Sequence, residues 1–357
     1  MSQTQIDHRP TLAENGGPGP AGVSGVTRHG PAKQHRGGIK RTAFRIVGGA
    51  VLLVAAAIGT GTVYEATGNS ANTLVPPAGR LIDVGGYRLH LDCQGEGSPT
   101  VVMDAGLGGA SLDWSLVQPA LQSTTRVCVY DRAGMGWSDP GDAIPTPSRL
   151  ASELHTLLSN AGEAGPFVLV GHSLAGKNIR LFAAAFPAEV SGMVLVDARS
   201  ELIDKQMSGA DTDGFNAALK AQAVAFSIAR HVGLVRLLGR VLIGEPLLSD
   251  RSANEMALLQ TEPSAIDEAY AEGIARSADD SVLAGQSLGT LPLTVIAAEQ
   301  NMTGLSGWAD AQHSLAQLSS RGRLVIAKGS GHYVQLEQPE LVISSIEQVI
   351  ATVRSGS

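Results

Sequence analysis

The sequence lacks the residue patterns that several large classes of protein require. It holds only two cysteines among 357 residues, and its His, Cys and Asp residues form no cluster with the spacing of metal ligands. The run Gly106-Leu107-Gly108-Gly109 resembles a nucleotide-binding loop only in its glycine content. We therefore expect neither a metal ion nor a cofactor.

Basic residues are scarce beyond the first 45 positions. Residues 1–45 contain seven Lys or Arg against Asp7 and Glu14, whereas the rest of the chain has 19 basic and 31 acidic side chains, a net charge of −12. Such a negative net charge over residues 46–357 argues against binding to nucleic acid. The basic segment 1–45 is rich in Gly and Pro and has few clustered apolar side chains, so we predict that it is a disordered tail.

Residues 46–64 are the one long apolar run without a charge. At about 1.5 Å per helical residue this run spans roughly 28 Å, enough to cross the hydrocarbon core of a bilayer. Because basic residues precede it and Glu65 follows it, we predict a single transmembrane helix in the cell membrane, with a cytoplasmic N-terminus. Residues 65–79 would be a linker to a domain outside the cytoplasm. A cleaved secretory signal is the main alternative, and a buried core helix is another.

From residue 80 to residue 357, short apolar strands alternate with helical segments. The predicted strands are 80–83, 87–92, 100–103, 126–130, 167–170, 192–196, 293–298 and 323–327, and the helices between them are 112–122, 147–160, 175–186, 308–318 and 339–353. This alternation is typical of an α/β fold with a mostly parallel sheet and helices on both faces. Residues 199–290 have helical periodicity and no convincing strand. They predict a helical insertion after the sixth strand, either packed on the sheet or acting as a lid over an apolar pocket.

Ser173 lies where an apolar strand turns sharply into a helix, in the run Gly171-His172-Ser173-Leu174-Ala175. A strained turn of this kind needs small residues two positions before and two positions after the serine, and Gly171 and Ala175 meet that need. The turn would expose the hydroxyl above the sheet as a nucleophile. The alternative is an ordinary helix-capping serine.

A serine hydroxyl needs a base to remove its proton, and His332 is the best placed of the nine histidines. It follows the predicted strand 323–327 in a Gly-Ser-Gly-His loop, and the carboxyl ends of parallel strands are where such sheets collect their catalytic groups. His172 adjoins the serine and would point elsewhere. Three histidines are in the tail, and four are interpreted as surface or packing residues, namely His90, His155, His231 and His313.

Four local patterns, in this order, resemble those of the α/β-hydrolase superfamily from about Arg80 to the end of the chain. They are Asp104-Ala105-Gly106-Leu107-Gly108-Gly109 after the third strand, Tyr130-Asp131-Arg132-Ala133-Gly134-Met135-Gly136-Trp137-Ser138 after the fourth, the Ser173 turn, and Gly331-His332 followed by Glu337-Gln338-Pro339-Glu340. The resemblance implies an eight-stranded, mostly parallel sheet with a helical cap after strand six. It also implies an oxyanion hole formed by the backbone N–H groups of Leu107 and Leu174.

The acid of the implied triad departs from the pattern of most relatives. They have an aspartate after strand seven, where this chain has Asn301. Some members carry the acid after strand six instead, and there this chain has Asp197, our first choice. Glu299 is the alternative acid, followed by Asp310 or a working Ser–His dyad.

The two cysteines, Cys93 and Cys128, lie beyond the predicted membrane span, and in an oxidising compartment an even count suggests a disulfide. In the superfamily the strands that carry them lie side by side, which would bring the two close enough to bond. Two buried free thiols are the alternative.

The resemblance implies a serine hydrolase, because relatives that act on epoxides or haloalkanes use an aspartate in the position of Ser173. We expect a small-molecule carboxylic ester as substrate, cleaved through an acyl-enzyme. The alternatives are an amidase or aminopeptidase of the same fold, and a non-catalytic binding protein that retains the fold.

Overall fold

The computed structural model describes residues 55–63, 78–207, 209–243 and 248–356. The predicted tail lies outside these residues, as do most of the predicted linker and the first part of the predicted membrane span. Residues 55–63 are helical. Within the described ranges, no helix is both long enough and apolar enough to cross a membrane.

Eight strands form one twisted sheet. They are β1 (Arg80–Asp83), β2 (Arg88–Gln94), β3 (Thr100–Asp104), β4 (Val127–Tyr130), β5 (Phe167–His172), β6 (Val190–Val196), β7 (Leu293–Ala298) and β8 (Gly322–Ala327). Their order across the sheet is β1-β2-β4-β3-β5-β6-β7-β8. The pairs β1–β2 and β2–β4 are antiparallel and all others are parallel, which confirms the predicted mostly parallel sheet with an antiparallel start.

The helices pack on both faces of this sheet or form a cap over it. They are α1 (Gln118–Leu121), α2 (Pro147–Ala161), α3 (Ala175–Ala185), α4 (Glu201–Gln206), α5 (Gly209–His231), α6 (Leu234–Ile243), α7 (Asp250–Gln260), α8 (Pro263–Ala275), α9 (Asp280–Leu283), α10 (Glu299–Gly304), α11 (Trp308–Ala316), α12 (Val334–Glu337) and α13 (Pro339–Ser355). Helices α4 to α9 all lie between β6 and β7 in the chain. They are the predicted helical cap.

The central strands are buried on both faces because alternate residues point into two different apolar cores. In β5, Phe167 and Leu169 join one core, which includes the buried face of α2, whereas Val168 and Val170 join the other, which includes the buried face of α13. This double burial explains why the strand has no polar position until it ends. Ser173 directly follows the last residue of this strand.

The predicted helix over residues 112–122 is wrong in detail. A 3-10 turn at Ser111–Trp114 and the short α1 replace it. Pro119 lies in the first turn of α1. A proline there has no backbone N–H to continue an earlier helix, so the chain restarts at this point.

Cys93 of β2 and Cys128 of β4 lie directly opposite each other in the antiparallel register, and a disulfide joins them. The resemblance implied this pairing, and the structure confirms it. The bond joins the second and third strands of the sheet across a separation of 35 residues.

Candidate active site

Ser173 occupies the turn between β5 and α3 with a left-handed backbone, at φ +52°. A non-glycine residue in this region is strained, and the packing around the turn explains why it persists. A side chain at Gly171 would come within 2.8 Å of the Ala175 carbonyl oxygen, and one at Gly176 within 2.5 Å of the Ala198 β-carbon. The absence of a side chain at Gly171 and Gly176 is therefore a steric requirement of this turn.

His332 lies in the loop after β8, and its Nε2 is 2.9 Å from Ser173 Oγ. Glu337 holds this loop by accepting hydrogen bonds from the Gly331 N–H at 2.6 Å and from the Ser330 hydroxyl at 3.2 Å. On the other side of the imidazole, Nδ1 is 2.6 Å from Asp197 Oδ2. The serine, histidine and aspartate chosen from the sequence are thus brought together in the geometry of a proton relay.

Asp197 directly follows β6 and is fully buried. Its Oδ1 accepts hydrogen bonds from the Ala298 N–H at 3.0 Å and from Trp308 Nε1 at 2.8 Å. Its Oδ2 accepts one from Asn301 Nδ2 at 2.5 Å and faces His332 Nδ1. Four donors therefore surround the carboxylate, which complements its negative charge and prevents its rotation.

Asn301, which departs from the usual aspartate, remains part of the cluster. Its Nδ2 donates to Asp197 and lies 3.1 Å from His332 Nδ1. Glu299, the alternative acid, points elsewhere, since its Oε2 accepts a hydrogen bond from the Gly329 N–H at 2.8 Å. Asp310 is exposed in the first turn of α11. Of these candidates only Asp197 contacts the histidine.

The two N–H groups expected to form the oxyanion hole flank Ser173. The turn after β3 lies against the serine, because a side chain at Gly106 would come within 3.1 Å of the Ser173 β-carbon. Leu174 precedes α3, at a helix N-terminus whose dipole favours negative charge. Within the described part of the chain, the N–H groups of Leu107 and Leu174 have no hydrogen-bond acceptor. Both remain available to an incoming oxygen.

His172 is next to the serine but belongs to the support of the site. It is buried, and its Nε2 donates to the His332 carbonyl oxygen at 2.9 Å. Burial, reinforced by the neighbouring His332 ring, lowers the pKa of His172 well below its usual value. It is therefore a neutral hydrogen-bond donor that fixes the backbone of the loop that carries His332.

A cavity of about 250 Å³ lies between the cap and the sheet, beside Leu107 and Tyr333. Cap residues on α5, α7 and α8 supply most of its wall, and none of the described residues that line it carries a charge. The lining residues are Leu107, Gly108, Leu219, Gln222, Ala223, Phe226, Met256, Gln260, Ile266, Ala269, Tyr270, Tyr333 and Leu336. This arrangement favours the lid interpretation of the insertion over simple packing.

The remaining histidines have other partners or positions. His90 is buried, with Nδ1 2.8 Å from Asp131 Oδ2, and the same carboxylate accepts the Ser111 and Trp137 N–H groups, so this pair braces two loops. His155 stacks on Phe186.

In the described ranges, the group of side chains closest to a metal-binding arrangement is Cys93, Cys128 and Glu163, but both of its sulfurs are consumed by the disulfide.

Sequence reasoning missed two sets of residues at this site. Trp308 is separated from Asp197 by 111 positions, and no local pattern connects them. Arg132, Asp104 and Glu272 form a buried ion cluster behind the turn after β3, residues 105–109, which we call the oxyanion turn. Asp104 and Arg132 fall inside recognised patterns, which could have drawn attention to them, but Glu272 lies in an unremarkable stretch of the cap.

Comparison with known proteins agrees with this architecture. The family described as the alpha/beta hydrolase fold matches residues 99–339. An uncharacterized protein of Schizosaccharomyces pombe is 30% identical over 246 residues, which cover 66% of this chain and 43% of that protein. The match therefore spans less than half of that relative's length.

Among solved structures, the epoxide hydrolase CorEH superposes with a TM-score of 0.59 at 19% identity, covering 77% of this chain and 98% of that one. A thermophilic esterase from Thermogutta terrifontis superposes with a TM-score of 0.59 at 20% identity, over the same shares of the two chains. These likenesses concern the fold alone, and proteins with different activities share it.

Proposed function

Since the chain belongs to the alpha/beta hydrolase family, we propose that it is a serine hydrolase that cleaves a carboxylic ester through an acyl-enzyme. The observation that carries the proposal is the continuous contact from Asp197 Oδ2 to His332 Nδ1, and from His332 Nε2 to Ser173 Oγ, at 2.6 and 2.9 Å. In this assignment Ser173 is the nucleophile, His332 the base and then the acid, and Asp197 the carboxylate that orients the imidazole.

The reaction would begin with attack of Ser173 Oγ on the ester carbonyl carbon while His332 Nε2 takes the hydroxyl proton. The carbonyl oxygen becomes negative, and the free N–H groups of Leu107 and Leu174 would stabilise it. Collapse of this intermediate releases the alcohol, which receives the proton from His332, and leaves the acyl group on Ser173. Water, deprotonated by His332, then attacks the acyl carbon and releases the acid and the free serine.

The cavity beside Leu107 supports an apolar, uncharged acyl group. A cavity of 150 Å³ holds one benzene ring, so about 250 Å³ corresponds to roughly ten carbon atoms. An aminopeptidase would need a carboxylate to receive the substrate ammonium group, because burying an unpaired charge is costly. Since the described residues that line the cavity are all neutral, an ester or a neutral amide fits it better.

A fluorophosphonate probe tests the catalytic assignment. We expect the wild-type chain to be labelled and Ser173→Ala to remain unlabelled. Hydrolysis of p-nitrophenyl esters of two to sixteen carbons should peak at about ten carbons, set by the cavity volume. A folded wild-type chain without labelling would favour the alternative of a binding protein that has lost turnover. Hydrolysis of anilides in preference to esters would favour an amidase.

We also propose that the hydrolase domain is held outside the cytoplasm by the apolar run 46–64. The support is the charge pattern around this run and the disulfide, since such bonds persist in oxidising compartments. Extraction of the full chain from membranes with alkaline carbonate, followed by N-terminal sequencing, tests this. We expect the protein to stay in the pellet with its tail intact, whereas a shortened protein in the supernatant would indicate a cleaved secretory signal.

A further inference from the structure

Arg132 is a buried cation directly behind the oxyanion turn, and the mechanism above does not use it. Its side chain is 3% exposed. All five of its N–H donors are engaged. Two donate to Glu272 at 2.5 and 2.9 Å, one to Asp104 at 2.6 Å, and two to the carbonyl oxygens of Ala105 and Gly106 at 2.7 and 2.6 Å.

The bond to the Gly106 carbonyl determines where the Leu107 N–H points. These two groups belong to one planar trans peptide unit, so they point in opposite directions. With the carbonyl oxygen held by Arg132 and by the Gly109 N–H at 3.0 Å, the Leu107 N–H is directed away from Arg132. A cation on the carbonyl also polarises the peptide group and strengthens its N–H as a donor.

Glu272 connects this arrangement to the cap. It lies on α8, is 1% exposed, and binds Arg132 through both carboxylate oxygens. The same helix rests on the oxyanion turn, because a side chain at Gly108 would come within 3.2 Å of the Ala269 β-carbon. Removing the cap would therefore leave two of the five Arg132 donors without acceptors, in a place where unpaired charge is costly.

We propose that Arg132 is a positioning residue for the oxyanion donor Leu107, and that Glu272 makes this positioning depend on a seated cap. The inference rests on the proposed function, because it concerns the same oxygen. The cap thereby acts on catalysis through the turn beneath it as well as through the wall of the cavity.

The test compares Glu272→Gln and Arg132→Lys with Glu201→Gln as a matched control. Glu201 also links the cap to the sheet domain through a buried bidentate pair, with Arg180 at 2.7 and 3.2 Å, but it contacts neither the turn nor the triad. Loss of one oxyanion donor costs about 10²- to 10³-fold in kcat, so a misdirected donor should cost about 10- to 100-fold. We expect this loss in kcat, with little change in KM, for both test variants. Glu201→Gln should keep both kcat and KM near the wild-type values.

An alkyl boronic acid, which forms a tetrahedral adduct on serine, provides a second readout. Its inhibition constant should rise by the same factor as kcat/KM falls. Unchanged kcat in folded Glu272→Gln would overturn the proposal, as would equal losses of activity and unfolding temperature in Glu272→Gln and Glu201→Gln. If Arg132→Lys does not fold, Glu272→Gln alone decides.

If the wild type hydrolyses no ester, the proposed ester hydrolysis is wrong, but the positioning role can still be tested. The measured quantity is then the rate at which the fluorophosphonate labels Ser173, because the phosphonyl oxygen would occupy the same oxyanion hole. Slower labelling of Glu272→Gln than of Glu201→Gln would then support the positioning role. Equal rates, or no labelling of folded wild type, would overturn it.

Discussion

Replacing Asp197 by asparagine should disable His332 while leaving the shape of the site almost unchanged. All four partners of the Asp197 carboxylate are donors, so an amide NH₂ group at this position has to face two of them. The Ala298 N–H and the indole of Trp308 cannot become acceptors, which directs the new NH₂ group toward Asn301 and His332. Asn301 can turn its amide, but His332 can accept only by moving its proton from Nδ1 to Nε2.

An imidazole with its proton on Nε2 cannot take the proton of Ser173. The loss expected for such a tautomer is about 10⁴-fold in kcat, equal to about 5.4 kcal/mol of transition-state stabilisation. The measurement is kcat and KM on the best p-nitrophenyl ester, with thermal unfolding to check the fold. Glu299→Gln is the control, because Glu299 binds the Gly329 N–H instead of the histidine, and it should retain nearly full activity.

The double variant Asp197→Asn with Asn301→Asp gives this reasoning its sharpest test. The carboxylate would move to residue 301, whose side chain already lies 3.1 Å from His332 Nδ1, and the new amide at residue 197 could donate to it. All donors would again have acceptors, so we expect recovery of about 10²-fold over the single variant. Full activity in folded Asp197→Asn, or an equal loss in Glu299→Gln, would refute the assignment of the acid.

Three further predictions concern stability and specificity. Replacing Cys93 and Cys128 by alanine should lower the free energy of unfolding by about 3 to 4 kcal/mol, read from urea unfolding, since the bond closes a loop across 35 residues. Burial and the neighbouring carboxylates raise the pKa of Glu268 from 4.5 to about 7, so the folded state holds an extra proton between these values and stability should fall as pH rises from 5 to 7. After a discount for solvent screening, the loss in free energy of unfolding over this pH range is about 1.5 kcal/mol. In thermal unfolding, Glu268→Gln should make the unfolding temperature less dependent on pH. Ala223→Phe should fill part of the cavity and lower kcat/KM for decanoyl esters about tenfold relative to acetyl esters; an unchanged ratio would show that the acyl group binds elsewhere.

The strands and the turn that carry Ser173 were predictable because their causes are local. Continuous apolar runs identify strands buried on both faces, and the small residues around Ser173 follow from close contacts within a few positions of it. His332 was also accessible from the sequence, because a loop after a parallel strand opens onto the same edge of the sheet as the serine turn. The break at Pro119 was a local signal that the helix prediction did not use.

The contact between Asp197 and His332 and the support of the site are visible only in the tertiary structure. Asp197 and Glu299 both follow strands at the same edge of the sheet, so chain position favoured Asp197 but left Glu299 as an alternative. The directions of their side chains separate them, with Asp197 turned toward His332 and Glu299 toward Gly329. Trp308 and Glu272 reach their partners across 111 and 140 positions, and contacts of that range leave no periodic signal in the chain. The sequence by itself thus determined the sheet and the positions of Ser173 and His332 on it, because local sterics and strand order specify these, whereas the partners that orient the two side chains depend on how distant segments pack.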